Sequence, residues 1–72
     1  MTTYNKIMAI AKAIPELCNF QSEAVDARIY RALGINSRTF MYWKESDFEN
    51  LKRSDINAIL KLLNCRYEDV FL

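Results

Sequence analysis

The residues with the most specific chemistry to offer are Arg38 and the polar run around it, Asn36-Ser37-Arg38-Thr39, followed by Met41, Tyr42 and Lys44. An arginine guanidinium is a planar fork of donors that matches the O6 and N7 acceptors of guanine. Ser37 and Thr39 can bond bases or phosphates. Met41 could lie against a thymine methyl, and Tyr42 could donate to a phosphate or lie on a sugar. Asn36, beside the free backbone N–H groups of a helix start, suits a phosphate. Lys44, Lys52, Arg53 and Arg28 are cations of the kind that add affinity and salt dependence without reading sequence.

Catalytic chemistry is poorly provided for. The chain has no histidine, no glycine-rich phosphate loop and no nucleophile with an evident base. Asp47 and Glu49 are close in sequence, but paired acids in a loop usually face water. Cys18 and Cys65 lack the further ligands that a zinc site needs; parity alone allows a disulfide, but they read rather as two small buried thiols. No enzyme activity, cofactor, metal or small-molecule ligand is expected.

Recognition chemistry needs a rigid element to present it. Asp26 to Glu45, DARIYRALGINSRTFMYWKE, reads as two short helices broken at Leu33-Gly34-Ile35. Before the break, Ile29 and Leu33 repeat at four residues; after it, Phe40 and Trp43 repeat at three. Each pair fits one apolar face of a helix. Gly34 is the only glycine of the chain, and it stands where a left-handed C-terminal cap is expected. Asn36 and Ser37 offer side-chain oxygens to the next helix, which is expected to run from residue 36 or 37 to about Lys44. Helix, glycine turn and capped helix form the pattern that places a second helix in a DNA major groove. With Phe40 and Trp43 turned inward, Ser37, Arg38, Met41, Tyr42 and Glu45 remain on the other faces. Met41 and Tyr42 could equally be tucked against a neighbouring helix or a dimer partner.

This stretch resembles the lambda-repressor-like, Cro/repressor-type helix-turn-helix proteins. The resemblance is carried by Ile29, Leu33-Gly34-Ile35, Asn36-Ser37-Arg38-Thr39, Phe40 and Trp43, and extends more weakly to Leu72. Four residues before the turn glycine the family usually has Ala; this chain has Tyr30. The resemblance implies sequence-specific binding of double-stranded DNA and a role in transcription regulation, in the manner of small phage or mobile-element regulators. It also implies a homodimer on near-palindromic sites; Val70, Phe71 and Leu72 could contribute a contact to it or could equally complete the monomer's core. The rival reading is a helical protein–protein interaction module that keeps the fold without binding DNA.

The remaining sequence frames that centre. Seventy-two residues suit a single domain, and one this small buries only about 60% of its unfolded surface. The apolar fraction of 51% and charged fraction of 26% are those of a globular protein. No apolar run approaches the roughly 18 residues needed to span a bilayer, and the N-terminal stretch has no basic leader, so a cytoplasmic protein is expected. The net charge of +1 does not announce a nucleic-acid binder. From Arg28 to Arg53, however, six cations face three acids, against four cations and six acids elsewhere.

A first helix is expected over Tyr4–Ile14, capped by Thr3, with Ile7, Ile10, Ala11, Ile14 and Leu17 on one face. Pro15 ends it or opens a further short turn. Phe20 is expected at a buried corner. A helix starting near Ser22 or Glu23 turns Val25 inward, with Asp26 as a second candidate cap. Phe48 and Leu51 anchor the loop after Lys44. Ser54 reads as the next cap, before the face formed by Ile56, Ile59, Leu60 and Leu63, and Asn64 as a left-handed stop. The expected fold is all-α: a compact bundle of about five short helices with a central helix-turn-helix.

Overall fold

Thr2 begins the order. Its backbone is extended and its hydroxyl accepts from the N–H of Asn5, so Thr2 rather than Thr3 caps the first helix, α1 (Thr3–Ala11). The structure is a computed structural model that describes residues 2–18 and 22–72; Phe20 and the side chain of Cys18 lie outside the described part. α1 stops at Ala11, short of Ile14, because the N–H groups of Ala13 and Ile14 reach back only three residues, to Ile10 and Ala11, tightening the chain ahead of Pro15. The proline opens a single turn, α2 (Pro15–Cys18), with Glu16 in its first turn, where a missing N–H costs nothing.

α3 (Ser22–Leu33) and α4 (Ser37–Glu45) follow. Gly34 takes φ +75°. Its N–H donates to the carbonyl of Arg31 and the N–H of Ile35 to that of Tyr30, the paired bonds that close a helix around a left-handed residue. A Cβ at Gly34 would meet nothing within 4 Å, so the backbone alone resists a side chain there. Gly34→Ala is expected to cost about 1–2 kcal/mol and to lower the melting temperature by several degrees; an unchanged melt would show that the turn can relax.

The same device closes two further helices. At Asn64 (φ 52°), which ends α5 (Arg53–Leu63), the Asn64 and Cys65 N–H groups donate to the Lys61 and Leu60 carbonyls. At Asp47 (φ 52°), beyond α4, the Asp47 and Phe48 N–H groups donate to the Lys44 and Trp43 carbonyls. Phe48 is itself left-handed at φ 64°, a costly conformation for a bulky residue. Burial of its ring beside Tyr4, Phe40 and Trp43, with centroids 5.9–6.4 Å away, offsets that strain.

α5 starts earlier than Ser54 suggests. Lys52 occupies the cap position without a side-chain cap bond, and Ser54 lies inside the first turn together with Asp55. A last turn, α6 (Tyr67–Val70), makes six helices, and there is no strand among the described residues. Every helix contributes to one core: Ile7, Met8 and Ala11; Leu17; Val25 and Ile29; Phe40; Ile59 and Leu63; Val70; and Phe48 from the loop. Ile10, Ile14, Leu33, Trp43, Leu51, Leu60 and Phe71 are packed against it and half-buried. Val70 is fully enclosed, so it completes the core of its own chain and is withdrawn from any contact with a second copy, whereas Leu72 is exposed. Cys65 is a free, half-buried thiol.

Candidate nucleic-acid interface

Asn36 sets the start of α4. Its backbone is extended and its Oδ1 accepts from the N–H of Thr39 at 2.8 Å. The side-chain oxygen that could have met a phosphate is therefore engaged as a cap, which leaves the exposed helix start itself as the feature that favours an anion. From there the 3.6-residue period divides the helix. Phe40 is buried, while Thr39, Trp43 and Lys44 are half-buried. Ser37, Arg38, Met41, Tyr42 and Glu45 are exposed and form one continuous strip along the outside. Met41 is 58% and Tyr42 62% exposed, so neither is tucked under another helix.

Tyr30, four residues before the turn glycine, lies between the two helices. It is half-buried, and its ring meets Phe40 at a centroid distance of 5.9 Å in a tilted pair. Aromatic packing thus fills the seam where a small residue would let the backbones approach.

The cations divide into two groups. Arg38, Lys52 and Arg53 are exposed and make no salt bridge to any described residue. Lys52 and Arg53 stand at the start of α5, where no side chain caps the free N–H groups, an arrangement that favours anions. Arg28 is exposed on α3.

Lys44 differs. Its Nζ lies 3.0 Å from Oδ2 of Asp26 and 4.6 Å from the centre of the Tyr4 ring. The Tyr4 hydroxyl donates to the same carboxylate, 2.9 Å from Oδ1 and 3.1 Å from Oδ2. Its bond to the carboxylate raises the ammonium's pKa above the usual lysine value, although burial pulls the other way. Burial, followed by the Asp26 hydrogen bond and charge, raises that of the Tyr4 phenol. Lys44 is therefore paired within the monomer, where the sequence suggested a free cation for a phosphate. Asp26 is likewise no helix cap but an inner residue of α3 joined to α1 and α4.

Asp47 is the second residue that sequence reasoning missed. Its carboxylate accepts from the N–H groups of Thr3 and Tyr4, both at 3.1 Å, capping α1 from beyond the end of α4 instead of facing water. No local signal marks either acid for its partner, since those partners lie 18 to 44 residues away in the chain.

The geometry defines a class: a small all-α domain that presents one face of a capped helix after a glycine turn. No family model, curated protein or solved structure matches the chain. No described helix is long and apolar enough to cross a membrane.

Proposed function

We propose that the chain binds double-stranded DNA in a sequence-specific manner as a small transcription regulator of the phage or mobile-element type, with α4 in the major groove. The observation that carries the reading is the outer strip of α4, where Arg38, which forms no salt bridge to any described residue, stands between Ser37, Met41 and Tyr42 and all four are exposed. Arg38 reads a guanine edge. Ser37 and Thr39 bond bases or phosphates near the helix start, Met41 meets a thymine methyl, and Tyr42 reaches the backbone. Lys52, Arg53 and Arg28 position the domain on phosphates. A second copy on a near-palindromic site would double the contact.

The exposed Met41–Tyr42 pair also favours a second reading, a protein-interaction face, because aromatic and methionine side chains are enriched at such surfaces. A salt titration against random-sequence duplex separates the two. A DNA-binding domain is expected to lose affinity steeply between 50 and 200 mM salt, by about threefold for each phosphate contact. No binding to duplex at the lowest salt would leave the protein-interaction reading.

A further inference from the structure

On the DNA-binding reading above, we infer that Asp26 and Tyr4 act as an internal clasp that withholds Lys44 from the phosphate backbone and fixes α4 against α1 and α3. The cation lies at the edge of the outward strip of α4, one turn beyond Met41 and two beyond Ser37, where a free lysine would reach a phosphate. Instead it meets a carboxylate at 3.0 Å and an aromatic face at 4.6 Å. The carboxylate is held in turn by a hydroxyl from α1.

Exchange of partners on binding DNA is unfavourable because the two sides of the ion pair are unequally exposed. The Asp26 side chain is 16% exposed and that of Lys44 36%. Pulling the ammonium away would leave a largely buried carboxylate with, among the described residues, only a neutral phenol for company, and stranding one member of such a pair costs more than an exposed ion pair returns. Asp26 is therefore a positioning residue that limits the charge the helix brings to DNA. Neutralising it frees Lys44 and adds one sequence-independent contact.

The test is a four-protein comparison on random-sequence duplex from 50 to 200 mM salt: wild type, Lys44→Met, Asp26→Asn and the double variant. Lys44→Met alone is expected to leave the slope of log affinity against log salt unchanged. Asp26→Asn is expected to steepen it by about 0.9, the value of one phosphate contact, and the double variant to restore the wild-type slope. A Lys44→Met protein with a slope shallower by about 0.9 would show Lys44 already on the DNA, and an unaltered slope in Asp26→Asn would show nothing withheld; either overturns the clasp.

A wild type with no salt-dependent binding defeats the DNA reading instead. The clasp then stands or falls on the acylation rate of the Lys44 amine in the wild-type protein. That measurement also decides the matter should Asp26→Asn fail to fold. Slower labelling than at exposed Lys52 and Lys61 is expected, and equal rates overturn it.

Discussion

Phe40→Ala is expected to destabilise the protein by about 3–5 kcal/mol, a large share of its total stability. The ring is 3% exposed and touches three others, Tyr30 across the helix-turn-helix seam, Trp43 on its own helix and Phe48 from the following loop. Truncating a buried phenylalanine costs about 3–5 kcal/mol through lost transfer energy and the cavity left behind. A domain of this length holds roughly 4–11 kcal/mol in total. Chemical denaturation followed by circular dichroism would measure the loss directly, and a variant as stable as wild type would mean that the four rings do not depend on one another. The spacing of Phe40 and Trp43 points to equal burial and would assign the same 3–5 kcal/mol to Trp43→Ala. Trp43 is only half-buried, so its truncation removes less apolar surface from the core and is expected to cost less than that of Phe40.

Arg38→Ala is expected to weaken binding to the preferred duplex by about 1–3 kcal/mol, the worth of a bidentate arginine–guanine contact, or roughly 5- to 150-fold in affinity. The melting temperature should stay where it was, because the side chain is exposed and pairs with no described acid. Selection of bound sequences from a random duplex library, repeated with the variant, is the measurement. Loss of preference at one guanine position is the expected result, whereas an unchanged site would remove Arg38 from the readout.

What could be read from the sequence was what neighbouring residues decide among themselves. Gly34 and Asn64 stop their helices because left-handed backbone is cheap only for residues of their kind. Asn36 caps its helix because the receiving N–H is three residues away. Val25, Ile29, Ile59 and Leu63 are buried because their spacing leaves one side of each helix apolar. The outer strip of α4 was legible for the same reason, as the complement of Phe40.

What could not be read depends on distant partners. Asp26 is a good cap residue by type, yet its position beside Tyr4 and Lys44 follows from three helices meeting. Ser54 is a better cap than Lys52 by type, yet α5 begins at Arg53, two residues after half-buried Leu51. Met8 lies beside the apolar face expected of α1, and a small turn of that helix brings it inside. These are tertiary decisions, and local preference is too weak to overrule them.

Asp47 joins the two ends of this hierarchy. Its own N–H terminates α4 on the Lys44 carbonyl, while its carboxylate receives the first N–H groups of α1 from 43 and 44 residues away. Closing so long a segment has an entropic cost that grows with its length. A peptide cut to residues 22–45 would keep the glycine turn but lack both the residue that seals its last helix and the helix that receives the seal. The outer strip of α4 is consequently a property of the whole molecule, acquired when amino-terminal and central segments meet and surrendered when they part.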